Sequence, residues 1–462
     1  MSVRPRGLGV TNALKAGAAL ALASLLLWQG WQTIHLYRGL VPMYQNREPP
    51  LLADSDWPAF YAGARLFVSA ERERSYNQEA QAREVLRVKG FAPDDLDQDS
   101  PWYRYYNPPA YSVLLAPLTL LDLRSAYLVT VAVNVAGFLA LLYLMGVILS
   151  WRQPLTAFAA GAVTVSMPLY YAFWHSQPTI LLALAIGWAF VLAERGRTLF
   201  AGLLLGLTFI KPQWLALSSI SLIRTYPRAV LATLFSAAGM LLPFAVIGAR
   251  GVLDYVHLVF GRGEADVGDS GFTEALLSWS GFVRAYSGDA MPHAWLALSF
   301  VTFALFAFVW LSGNRDHLPL AAMITTLLVV PHSHPQDWLL LGPAACFLLR
   351  GQTGLALILS GAILAGLLLA LNDWSGLDRR ETAIYWPTLA GFTTLLWLAL
   401  IALHQDGRLV LVVVAPAETT SQVIDERASA TEPFSPIRPE RHAIRTYSRL
   451  SGRARDASGR FY

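Results

Sequence analysis

Four polar groups interrupt a chain that is otherwise strongly apolar. Asp56 follows Asp54 and stands directly before Trp57-Pro58. His175-Ser176-Gln177 separates two apolar runs, and Lys211 sits beside Pro212 inside a third. The last group is His332-Ser333-His334-Pro335-Gln336-Asp337. Asp56 has two readings: a general base taking a proton from a hydroxyl, or an N-cap for a helix whose first turn contains Pro58. Lys211 also has two, a point charge for a lipid phosphate or a lysine snorkelling from a helix end. It is one of three lysines, with Lys15 and Lys89, in a chain whose other cationic positions are arginine. The spacing His-x-His-x-x-Asp is a weak metal signal, and no metal is expected.

The elements that position these groups are membrane spans. Of 462 residues, 55% are hydrophobic and 14% charged, against about 25% charged in a soluble protein. The net charge of +4 gives no nucleic-acid signal, and the single cysteine, Cys346, excludes a disulfide within the chain or a cysteine-based metal site. Arg4, Arg6 and Lys15 ahead of a long apolar run read as an uncleaved signal anchor. Apolar runs near 13–35, 125–149, 155–174, 177–194, 228–249, 293–312, 317–331, 337–349, 353–371 and 384–404 predict about ten spans.

Arginine placement sets the topology. Arg152, Arg195 with Arg197, Arg224 with Arg228, Arg315 and Arg350 lie in tight connections. They share the cytoplasmic side only if 198–223 enters and returns, a re-entrant hairpin with Lys211-Pro212 at its tip; the alternative is a single kinked span, which would put every later loop on the opposite side. Proline there breaks the helix. Gly202 and Gly206 form a GxxxG read as helix packing. Two long outer loops follow, 36–124 and 250–292. The first holds an amphipathic stretch from Trp57 to Ala70, a polar helix from Asn77 to Lys89 and an apolar run from Tyr111 to Leu121. Residues 1–404 form the membrane-embedded domain, and 405–462 a largely disordered cytoplasmic tail. All four polar groups then converge on one outer interface, as a site for a lipid-linked substrate requires. No Asp or Glu lies inside a predicted span; Glu194 and Asp337 stand at span ends, which disfavours a coupled transporter. A flippase or uncoupled transporter without covalent chemistry remains the alternative.

The residues Asp56-Trp57-Pro58-Ala59-Phe60-Tyr61-Ala62-Gly63, Tyr106-Asn107-Pro108-Pro109, Ala116-Pro117-Leu118, His175-Ser176-Gln177, Ala201-Gly202 through Gly206-Leu207 to Lys211-Pro212-Gln213, and Pro331 through Asp337 resemble, in order, bacterial glycosyltransferase family 87. The resemblance spans about 55 to 350. Ser176-Gln177-Pro178 and Tyr76-Asn77 depart from the family's frequent Gly-Gln-Asn and Tyr-Asp, and His332 and His334 stand where aromatic residues are common. The resemblance implies an all-α polytopic C-type glycosyltransferase (GT-C) fold in a bacterial inner membrane, with both termini cytoplasmic and the active site on the periplasmic face. It implies inverting transfer of a hexose, mannose foremost, from a polyprenyl-phosphate carrier to a cell-envelope glycolipid or glycan, without a further cofactor. In that reading Asp56 is the base, Lys211 faces the leaving phosphate, and His332, His334 and Asp337 contact sugar hydroxyls or phosphate. Gln177, Asn107 and Tyr61 are further substrate contacts.

Overall fold

A computed structural model describes residues 55–91, 105–260, 276–287, 290–291, 293–373 and 386–405, with isolated helical positions between 17 and 38. The described residues form helices and turns, with no strand among them. The expected anchor at 13–35 lies almost wholly outside them, as do Asp54, the Gly- and Asp-rich stretch 261–271, and the tail after 405.

The first outer loop folds as a layer of helices. α1 (Trp57–Val68) is buried along nearly its whole length. α2 (Gln78–Lys89) starts where the Asn77 side chain accepts from the Ala80 N–H, 3.0 Å away, and stops at Gly90 in the left-handed region, φ 82°. α3 (Pro109–Leu115) opens on two prolines, continues into a 3₁₀ turn at Ala116–Leu120, and packs on α1. The layer is tied by side chains reaching backbone. Gln81 Nε2 donates to the Tyr105 carbonyl at 3.1 Å, and Trp57 Nε1 to the Leu123 carbonyl at 3.1 Å. Gly63 is required because a Cβ there would strike the Tyr105 ring.

The bundle follows. α4 (Leu123–Ile148) starts under the loop layer, where the Asp122 carboxylate accepts from the Arg124 and Ser125 N–H groups, and runs to the far end. α5 (Gln153–Thr164) and α6 (Met167–Trp174) return as a pair bent by 49°. α7 (Thr179–Glu194) descends again. At the far end the Arg350 guanidinium donates to both oxygens of Glu194 at 2.6 Å and to Asp316 from Nε at 2.8 Å, while Arg152 donates to the Arg350 carbonyl at 3.1 Å. Arg224 donates to the Leu311 carbonyl at 2.8 Å, and Arg315 to the Tyr226 hydroxyl at 3.3 Å. The arginines whose placement suggested one shared side therefore gather at one end of the bundle.

The segment 198–223 enters and returns. α8 (Thr198–Gly206) leaves the charged end just after Glu194, and a 3₁₀ turn at Leu207–Ile210 carries it to Lys211. α9 (Gln213–Ile223) comes back to Arg224 at the charged end. α10 (Pro227–Gly239) then rises parallel to α8, since Gly202 lies against Ala229, Ala232 and Thr233 while Gly206 lies against Ser236 and Ala237. Two parallel helices in contact require the connecting one to run the opposite way. A Cβ at Gly202 would meet the Ala229 carbonyl, so the GxxxG serves helix packing.

α11 (Leu242–Phe260) breaks at Gly248, φ 66°, and packs on α3 and the Arg72–Arg74 turn, with Tyr255 edge-on to Tyr76 at 4.8 Å. α12 (Trp279–Ser287) leads to α13 (Ala294–Ser312) and α14 (Leu318–Val329). A 3₁₀ turn at Pro335–Leu340 enters α15 (Leu341–Arg350), and α16 (Gly354–Asp373) and α17 (Trp386–Gln405) complete the described chain.

Span count departs from the expected ten. Among the described residues four helices are long and apolar enough to cross a membrane, within 123–148, 242–259, 294–312 and 387–404, and the bent α5–α6 pair makes a fifth. The physical reason is that polar and proline-bearing turns cut the apolar runs short at the site end. α7, with 16 residues, is about 24 Å long and α14, with 12, about 18 Å, against a hydrocarbon core of about 30 Å. Within the irregular backbone at 165–168, 211–212 and 330–335, Ser166, Lys211, Ser333 and Pro335 are buried in protein while Pro331 is exposed; non-helical backbone in a membrane protein is tolerated where protein or a wet cavity lines it. The expected span 228–249 also splits, at Met240-Leu241, into α10 and the start of α11.

Candidate functional site

The site begins where the loop layer meets the bundle. Asp56 precedes α1 at the N-cap position, yet its side chain makes no capping hydrogen bond. The Trp57 N–H turns instead to Ser55 Oγ at 3.4 Å. The Asp56 carboxylate accepts from Gln177 Nε2, and its other oxygen lies 3.6 Å from His175 Nδ1. The two sequence readings of Asp56 are thereby separated: the carboxylate is turned away from its own helix toward the bundle. Burial alone would raise this carboxyl, but His175, His334 and the Gln177 amide outweigh it and hold it below its ordinary value. Its side chain keeps 19% of its surface exposed, so a substrate can reach it.

A second charged group comes from the hairpin tip. Lys211 Nζ, at the hairpin tip, donates to Asp337 Oδ1 at 2.8 Å, and Thr179 Oγ1 donates to the same oxygen at 3.3 Å. The other oxygen accepts from the His334 N–H at 3.2 Å, so Asp337 also caps the 3₁₀ turn after His334. Side-chain exposures of 10% for Lys211 and 1% for Asp337 make this a buried ion pair, held by extra hydrogen bonds as such pairs must be. That position rules out snorkelling for Lys211. An ammonium has three donors, and Asp337 engages one.

His334 links the two groups. Burial holds its imidazole below the ordinary value, Lys211 and His175 add to that, and Asp337 and Asp56 pull the other way. His334 thus feels the charge of each of the other four. Tyr111 of α3 is a further neighbour, since burial and then the Asp56 charge push its hydroxyl up.

Asp56, Gln177, Lys211, His334 and Asp337 therefore come together from four chain-distant stretches. His332 lies half-buried two residues before His334. One predicted contact turns instead to the loop layer: the Tyr61 hydroxyl donates to the Leu121 carbonyl at 2.5 Å. At Asn107 the backbone carbonyl accepts from the Tyr76 hydroxyl at 2.7 Å. His175, Thr179 and Tyr111 join the site without having been singled out as substrate contacts. His175 was legible from its place beside Gln177; Tyr111 and Thr179, inside apolar runs, carried no such signal. Among the described residues no three of His, Cys, Asp and Glu are grouped to hold a metal ion.

The arrangement offers a half-buried, ionised carboxylate, a lysine with donors to spare, and imidazoles near both. Such a set can take a proton at one end and stabilise departing negative charge at the other. No curated protein and no solved structure matches the chain. A family model does, over residues 105–331, which include α3, the His175–Gln177 turn and the whole hairpin, with Asp56 upstream and His334 and Asp337 just downstream. The chain belongs to glycosyltransferase family 87 and is a membrane glycosyltransferase.

Proposed function

We propose that the protein moves a hexose, mannose by the family resemblance, from a polyprenyl-phosphate carrier to a cell-envelope glycolipid or glycan. Transfer takes place at the outer face of a bacterial inner membrane, with both termini in the cytoplasm. The observation that carries this reading is the Asp56 carboxylate, withheld from its own helix and aimed at the cluster containing Lys211. Asp56 accepts the proton of the acceptor hydroxyl, whose oxygen attacks the anomeric carbon. The bond from that carbon to the phosphate oxygen breaks, its electron pair leaves with the lipid phosphate, and configuration inverts. Lys211 donates to the departing oxygens while Asp337 holds it in place. A depressed carboxylate is a weak base. An acceptor hydroxyl that displaces the Gln177 amide removes one of the lowering partners and lifts the carboxyl toward the value a base needs.

A flippase or transporter would carry polar groups along a path through the bilayer. Among the described residues the ion pairs gather in the loop layer, at the site end and at the charged end, which favours chemistry at one interface. The test is incubation of the purified protein with radiolabelled polyprenyl-phosphate hexoses and membrane lipid. A new labelled glycolipid supports the proposal; label that only changes leaflet supports the flippase.

A further inference from the structure

Residues 174–177 form one turn at the end of α6, and three of the four carry a buried polar atom with no hydrogen-bond partner: Trp174 Nε1, Ser176 Oγ and Gln177 Oε1. The fourth, His175, turns Nδ1 toward Asp56 at 3.6 Å. Ser333 Oγ, in the turn between α14 and the 3₁₀ segment, is a further unpaired atom. Buried polar atoms are normally paired, and three exceptions within one turn call for a specific cause. The backbone is unusual at the same place. Ser176 has φ 50°, a left-handed conformation that a non-glycine residue holds only when its surroundings impose it.

The rings of this turn supply the other half of the pattern. Tyr171, Trp174 and His175 lie within 13–19° of parallel, with pairwise centroid distances of 5.4–5.8 Å. Three mutually near centroids form a triangle, so the rings are offset stacks that together make an aromatic tile with slipped faces, and not a single column. Trp174 and His175 are half-buried, leaving part of that tile accessible. Near-parallel rings beside unpaired donors and acceptors fit a ligand with an apolar C–H face and a rim of hydroxyls. Binding sites combine aromatic walls with a few placed polar groups in this way.

We infer that this turn holds the sugar ring of the acceptor, so that the acceptor is a saccharide and not a simple lipid alcohol. The inference rests on the proposed transferase reading, because it assigns the acceptor to the side of the base. His175 and Gln177 belong to the turn and touch Asp56, whereas Lys211 and Asp337 occupy the phosphate side. Trp174 is then a substrate contact through its ring face and Nε1, and Ser176 through its hydroxyl.

The test uses full-length protein in lipid nanodiscs with octyl α-D-mannoside as probe and octanol as control. Saturation-transfer NMR reads contact with the sugar ring protons, and transfer assays with a polyprenyl-phosphate hexose read kinetics. Expected are ring-proton signals for the mannoside that are lost in Trp174→Ala and retained in Trp174→Phe. Acceptor KM should rise about tenfold in Trp174→Ala and Ser176→Ala, with donor KM and kcat nearly unchanged. Equal transfer to octanol and mannoside, or mannoside contact independent of Trp174 in protein that still transfers, would overturn the subsite. Trp174-dependent mannoside contact in protein that transfers nothing from any lipid-phosphate hexose would instead overturn the transferase reading and leave the sugar site standing.

Discussion

The side-chain amide of Gln177 donates to the carboxylate of Asp56 across 121 residues of sequence, joining the loop layer to the α6–α7 turn. With His175 beside it, the carboxylate is held ionised below its ordinary value. A depressed carboxyl keeps its charge as pH falls, so activity that needs this charge stays flat down to the ordinary aspartate value of about 3.9 and falls only beneath it. His175→Ala removes the largest lowering partner and should move the acid limb of kcat/KM upward; Gln177→Ala should move it in the same direction by less. A pH profile of transfer rate checks both, and an unmoved limb in either variant would disconnect these residues from the base.

Lys211 and Asp337 form a buried pair whose partners depend on each other. Removing Lys211 alone leaves an uncompensated carboxylate in the protein, a loss of about 3–5 kcal/mol for a pair of this kind. Lys211→Met should therefore lower both thermal stability and kcat. Adding Asp337→Asn to Lys211→Met should restore most of the stability without restoring turnover. Thermal melts in detergent, read beside transfer kinetics, separate the two effects.

The parallel contact of α8 and α10 depends on Gly202. Gly202→Leu pushes a side chain against the Ala229 carbonyl and Ala232, and overpacking of this kind costs about 1–3 kcal/mol. The measurable consequence is a lower melting temperature with the hairpin tip displaced, so transfer falls as well. Gly239→Leu, where a Cβ meets nothing within 4 Å, is the control and should melt like the parent.

The hairpin makes a topological prediction that the single native cysteine allows to be tested. In a Cys346→Ser background, Arg197→Cys and Thr225→Cys flank the two ends of the segment. Both should react with an impermeant thiol reagent from the same side of the membrane. Labelling from opposite sides would mean that the segment crosses, and the tip could not meet Asp337.

Much of this was legible in the sequence because polar residues are conspicuous in an apolar chain. Asp56, Lys211 and Asp337 stood out for that reason, and the arginines in tight connections favoured a hairpin over a kinked span at 198–223. What could not be read was whether Asp56 caps its own helix, since cap and base use the same carboxylate and only a third group, Gln177, decides between them. Span lengths also escaped. Hydropathy sees the apolar run from 155 to 174 as one object, whereas Ser166 accepts from the Leu169 N–H and starts a second helix. The aromatic tile was invisible for a related cause: Tyr171 and Trp174 look like ordinary apolar filling until their ring planes are known.

The most direct measurement compares wild type with Asp56→Asn, an isosteric change that keeps a hydrogen-bonding group at this position, for hexose transfer from a polyprenyl-phosphate donor. The account predicts a variant that inserts and melts like the parent but turns over about 10²–10⁴-fold more slowly, the span that general-base catalysis usually contributes. Wild-type turnover from the folded variant would contradict it and remove Asp56 from the chemistry.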